Sequence, residues 1–185
     1  SWYHDNSPAG IADLTGNVWE WVRGLRLVEG EIQIIADNNA AATNADHSGT
    51  STLWQAILQD GSLVSPGTAD TLKWDATAAG GTGAPILNTS VTSQSDGSSS
   101  ASEMYKDLTA ETGVTVPEIT KVLGLFPHAT DMTRGRFYMR NEGERLPRRG
   151  GNWNHGASAG VFALNLNTPR SDAHSYIGFR PAFAI

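Results

Sequence analysis

Hydrophobic and polar positions alternate most regularly near the two ends of the chain. Val18, Glu20 and Val22 alternate with Trp19 and Trp21, the two-residue period of a strand. Glu29-Gly30 reads as a turn and Glu31–Ile35 as the returning strand, so 14–35 predicts two strands. Near the other end, Phe162, Leu164 and Leu166 alternate with Val161, Ala163, Asn165 and Asn167. The aromatic and leucine side is expected to face a core, and Asn167 with Thr168 to lie toward the surface. Between them, Leu53, Trp54, Ile57 and Leu58 have helical spacing and predict a short amphipathic helix. A second helix is predicted over 115–124. Thr115 with Glu118 forms a capping box, Pro117 fits the first turn, Ile119, Val122 and Leu123 make one face, and Gly124 ends it.

The remaining pattern is thin. Residues 37–113 are rich in Ala, Thr, Asn, Ser and Gly, and read as an insertion in one domain spanning 1–185. Leu72, Trp74, Ile86 and Leu87 are expected to pack as satellites, and 93–102 to form a mobile loop. The arginines at 134, 136, 140, 145, 148 and 149 flank Phe137-Tyr138-Met139, and are read as solvated strand faces paired with Glu142 and Glu144.

The stretch 149–180 mixes two kinds of residue. Gly150, Gly151, Trp153, Gly156, Gly160, Phe162, Leu164, Leu166, Ile177, Gly178, Phe179 and Arg180 look like framework. Asn152, Asn154, His155, Ser158, Asn165, Asn167, Thr168, Asp172, His174, Ser175 and Tyr176 are small, polar or aromatic. Composition separates this region from ordinary protein: from Gly150 onward there is no Lys, Glu, Gln or Met, and Trp153 is its one tryptophan. Asparagine codons altered only at their adenines would reach Ser, Thr, Asp, His and Tyr, and would not reach Lys, Glu, Gln, Met or Trp.

Arg149-Gly-Gly-Asn-Trp153, the run Gly-Val-Phe-Ala-Leu-Asn-Leu-Asn and Ile-Gly-Phe-Arg180 resemble the variable region of diversity-generating retroelement variable proteins. In that family a reverse transcriptase copies a template, randomises its adenines and overwrites the end of the target gene. Gly16-Asn-Val-Trp-Glu-Trp21 is similar to the same family and to the wider formylglycine-generating-enzyme-like group. The resemblance implies an α+β chain of C-type-lectin type, with short antiparallel strands, one or two helices and a long loop-rich insertion. It also implies a phage tail-tip or prokaryotic cell-surface location. The partner would be a host-surface or environmental macromolecule, a protein, and a homo-oligomer is allowed.

Charge and chemistry narrow this further. A net charge of −6 does not suit tracking of phosphate backbones, so no nucleic-acid partner is expected. No apolar run is long enough to span a bilayer. Oxidation by formylglycine-generating enzymes depends on their own cysteines, and this chain has none, so that activity is not carried over. The histidines (His4, His47, His128, His155 and His174) include no pair at helical ligand spacing, and His4 reads as a surface or packing residue. No cofactor is called for. Structural calcium on Asp and Asn oxygens is allowed, although sugar-lectin motifs are absent. A non-enzymatic binding surface remains the expectation, against a formylglycine-generating-enzyme-like catalytic domain or a structural virion or interaction module. Tyr and His offer large contacts with few rotatable bonds, and Ser, Asn and Thr adaptable hydrogen bonds. Tyr176 is the expected anchor. Glu20, set between two tryptophans, is expected to need a cationic partner, with Arg180 the candidate.

Overall fold

Glu29 and Gly30 both take left-handed backbone, with φ of 49° and 82°. A two-residue turn of that hand matches the twist of the strands it joins. Glycine is needed at the second position: a Cβ there would lie 2.7 Å from Val91 Cγ2 and 2.9 Å from the Trp74 carbonyl oxygen. The turn links β2 (Leu25–Val28) to β3 (Glu31–Ile35), and β1 (Trp19–Trp21) precedes them. The expected pair of strands is therefore three. This is a computed structural model, and it describes residues 7–10, 15–129 and 134–179. His4 and Arg180, with the proposed Glu20–Arg180 ion pair, lie outside those residues.

Among the described residues the architecture is mostly strand with one α-helix. The segment 37–113 supplies β4 (Trp54–Ile57), β5 (Leu63–Val64), β6 (Lys73–Ala78), β7 (Thr82–Asn88), β8 (Ala101–Met104) and β9 (Thr109–Ala110). After α1 (Glu118–Val122) come β10 (Arg136–Met139), β11 (Glu144–Gly150), β12 (Gly160–Thr168) and β13 (Ile177–Gly178). The main path of the mixed sheet runs β8-β10-β12-β11-β2-β3-β6-β7-β9. It curls until β7 comes against β8. Off this path, β1 pairs antiparallel with β11 and parallel with β13, tying the beginning of the chain to its tail.

Several expectations change here. Residues 54–57 form a strand and no helix, because they pair with both β3 and β5 and bury Trp54, Ala56 and Ile57. The 53/54/57/58 spacing satisfied a helix, but two sheet neighbours outweigh a local period. Leu72, Trp74 and Leu87 are no satellites. All three are fully buried in the same hydrophobic cluster as Leu27, Phe137, Leu164 and Leu166. Residues 93–102 are tied down: the Ser95 amide and hydroxyl donate to Asn141 Oδ1, and Arg140 donates to the carbonyls of Gly97, Ser98 and Ser99.

The helix is where the sequence places it, but its details differ. Pro117 occupies the N-cap, no side-chain cap forms, and the Thr115 amide donates instead to Gln59 Oε1. Thr120 and Leu125 are buried, while Val122 is 77% exposed. Five helical residues are too few for a complete apolar stripe. Arg149 completes the helix end by donating to the Leu123 and Gly124 carbonyls at 2.9 and 3.1 Å. A cation there satisfies carbonyls that lack intrahelical donors. Three further arginines have carboxylate partners. Arg26 and Arg170 share Glu144, at 2.9 and 2.8 Å, and Arg145 lies 3.6 Å from Glu142. Hydrogen bonds from both arginines hold the Glu144 carboxyl below its usual range.

Candidate functional site

Strand register defines the site. Phe137 pairs with Leu164, and Met139 with Leu166, so both pairs point into the core. Strand alternation then sends the intervening residues to the opposite face. Tyr138 lies beside Asn165, Asn165 beside Arg148 and Arg148 beside Trp21. This row crosses β10, β12, β11 and β1. Trp19, two residues from Trp21, shares the row's side of β1.

Two C-terminal loops cover that row. The first leaves β11 through Gly151, where φ is 78° and a Cβ would sit 2.7 Å from Ala159 Cβ. Glycine lets the chain fold back on itself there. The His155 ring then packs edge-on to Trp19, with ring centres 5.3 Å apart, and stacks on Tyr138 at 6.2 Å. Its Nδ1 accepts from the Asn152 amide at 3.4 Å. Burial and the nearby Arg148 guanidinium hold the imidazole below its ordinary pKa of 6.5.

The second loop joins β12 to β13. The Trp19 amide donates to the Tyr176 carbonyl, which pins the loop to β1. Asp172 Oδ2 lies 3.4 Å from Arg148 Nη1, and Asp172 Oδ1 lies 3.1 Å from His174 Nε2. The His174 ring lies nearly flat on Tyr176, with ring centres 4.9 Å apart. Arg148 is thus enclosed by Asp172, the Trp21 ring at 5.4 Å and the Trp19 ring at 5.9 Å. Burial lowers its pKa and Asp172 acts in the opposite direction. Arg148 Nε, Asn152 Oδ1 and Asn167 Oδ1 are buried without a hydrogen-bond partner.

The expected surface residues fall into two groups. Asn154, His174 and Ser175 are exposed, and His155, Ser158, Asn167, Asp172 and Tyr176 are half-buried. Asn152, Asn165 and Thr168 are buried, at 6, 7 and 3% exposure, and do not belong to an open face. For Thr168 the reason is local: it pairs with Leu146 of β11, and Asn165 Oδ1 accepts from the Thr168 hydroxyl and the Asn167 amide. The framework expectation also needs correction. Trp19, Leu164 and Leu166 are buried and Phe162 packs against the core, stacked on Tyr105. Trp153 and Phe179 are 74 and 79% exposed. Trp153 follows the Gly151 fold-back, where its amide is held by the Asn17 carbonyl while the ring faces out.

The structure adds Tyr138 and Arg148 to the site. Tyr138 was recoverable from the alternation of Phe137 and Met139, which leaves it on the other face. Arg148 was hidden in a basic run whose members take unrelated partners. Among the described residues, no three His, Asp or Glu side chains converge as metal ligands. No helix there is long and apolar enough to cross a membrane. No protein-family model matches the chain, and no curated protein matches it.

Proposed function

We propose that the chain is a binding protein of C-type-lectin type, and that its C-terminal loops display a surface diversified by a retroelement. The observation that carries this reading is the division of labour along 149–180. Backbone and core positions there are held by the sheet, while Asn154, His155, Ser158, His174, Ser175 and Tyr176 crowd two adjoining loops with exposed or half-exposed side chains. A rigid base with exchangeable tips suits recognition, because substitutions at the tips leave the scaffold intact. The stacked His174–Tyr176 pair would supply the central aromatic contact for a protein partner on a host or environmental surface.

Sequencing the locus and its neighbouring DNA from many isolates tests this reading. The expected result is a near-copy of the gene's 3′ end beside a reverse-transcriptase gene. Substitutions should cluster at adenines in the codons for residues 154, 155, 158 and 174–176, with Trp19, Leu164 and Leu166 unchanged. Changes spread evenly along the chain, with no such copy, would refute it.

A further inference from the structure

A separate cleft of 280 Å³ opens beside this surface, between Trp21 and Trp54. Val22, Leu25 and Leu146 complete its apolar wall, and Arg23, Arg170 and His47 supply its polar lining. The volume is near the lower end of small-molecule sites, roughly 300–1,000 Å³, and suits one aromatic ring. The Trp54 ring cannot swing aside: its Nε1 donates to the Ser48 carbonyl at 3.0 Å, and His47 packs edge-on at 6.3 Å.

The charge of the ligand follows from the arginines. Arg26 lies 4.4 Å from the Trp54 ring centre, and Arg148 lies 5.4 Å from that of Trp21. Each indole therefore already carries a guanidinium, whose charge opposes a second cation nearby while leaving the other ring face for a neutral aromatic group. At the rim, Arg23 is exposed, and Arg170 shares the single carboxylate of Glu144 with Arg26. Arg170 is matched by Glu144 and lies near Asp46, which leaves exposed Arg23 as the further cation at the opening. The nearby Asp46 is exposed, and the Ser48 amide and hydroxyl that donate to it keep it anionic, so it offsets part of the Arg170 charge.

We propose that this cleft binds an aromatic ring bearing a carboxylate, the ring lying between the tryptophans and the carboxylate meeting Arg23 and Arg170. Apart from Arg170 its lining lies outside 149–180, so the proposal touches the diversified stretch through that one residue.

The test uses phenylacetate and phenethylamine as probes, followed through the indole N–H signals of the ¹⁵N-labelled chain. Phenylacetate should shift the Trp21 and Trp54 signals and leave exposed Trp153 unmoved, saturating in about the millimolar range expected of so small a ligand. Phenethylamine should bind about tenfold more weakly, because the rim charge turns from attractive to repulsive. Arg23→Glu should close that gap while leaving the dispersion of the other signals intact. The proposal is overturned if the two probes bind alike, if Trp153 responds in place of Trp21 and Trp54, if neither probe binds, or if Arg23→Glu leaves the selectivity unchanged.

Discussion

Arg148→Met should be tolerated better than Asp172→Asn, although both remove the same ion pair. Arg148 is 6% exposed, and its Nε has no partner. Its compensation is one long contact to Asp172 at 3.4 Å and two rings more than 5 Å away. A charged hydrogen bond contributes about 1.5–3 kcal/mol, and each exposed-type ring contact about 0.5–1 kcal/mol. Desolvating the guanidinium costs several kcal/mol, so the two sides nearly cancel. Methionine keeps much of the length without the charge, and Arg148→Met should fall within about 1 kcal/mol of the parent. Asp172→Asn leaves the cation behind. Breaking a fully buried pair costs about 3–5 kcal/mol. The Asp172 side chain is 22% exposed, so water offsets part of that and about 1–3 kcal/mol is expected. For a domain of this size, 1 kcal/mol moves Tm by roughly 2–4 °C. Thermal and guanidinium unfolding of the two variants under identical buffer would show the difference. A larger loss in Arg148→Met than in Asp172→Asn would refute the reasoning, by showing that the guanidinium is a net stabiliser.

The lowered pKa of His155 makes folded and unfolded chains bind protons differently. Below pH 6.5 the unfolded imidazole charges first, so this contribution to stability is present at neutral pH and declines as pH falls from about 6.5 toward the folded value. Tm should drop between pH 7 and 5.5 in the parent and less in His155→Phe; equal slopes would contradict this. Trp19→Ala should cost about 3–5 kcal/mol, as expected for a buried aromatic, whereas Trp153→Ala and Phe179→Ala should fall within about 0.5 kcal/mol of the parent. Denaturant midpoints for the three variants check this ordering, and a large loss in Trp153→Ala would show that its exposed ring has structural weight.

What was readable from sequence was mainly local. The alternation through 161–166 correctly assigned Leu164 and Leu166 to the core, because a strand in a sheet turns successive side chains to opposite faces. The β2–β3 turn was equally plain, since Gly30 favours its conformation by residue type, although Glu29 also takes positive φ. Trp54 was not readable. Its neighbours fit helix and strand periods alike, and only the pairing with β3 and β5 decides between them. Trp74 is a related case: it sits in a polar stretch, and its burial depends on β10 reaching it across the sheet, with the Phe137 ring 4.6 Å away. In the site, Tyr176 and His174 were identifiable by type. The enclosure of Arg148 was not, because it depends on β1, β11 and the loop after β12 meeting in space.

The enclosure of Arg148 also sets terms for any repertoire drawn at position 172. If the tail is diversified as proposed, Arg148 lies outside 149–180 and would stay constant, so each new residue at 172 would inherit the same guanidinium. An acidic residue quiets it at once. Serine, threonine or asparagine can answer it only in part, and tyrosine or histidine must find room beside two indoles. Selection for a folded product would therefore act before selection for any partner, and would thin the variety at 172 while sparing 174 and 175. The nominal size of such a library would overstate the number of surfaces it can present.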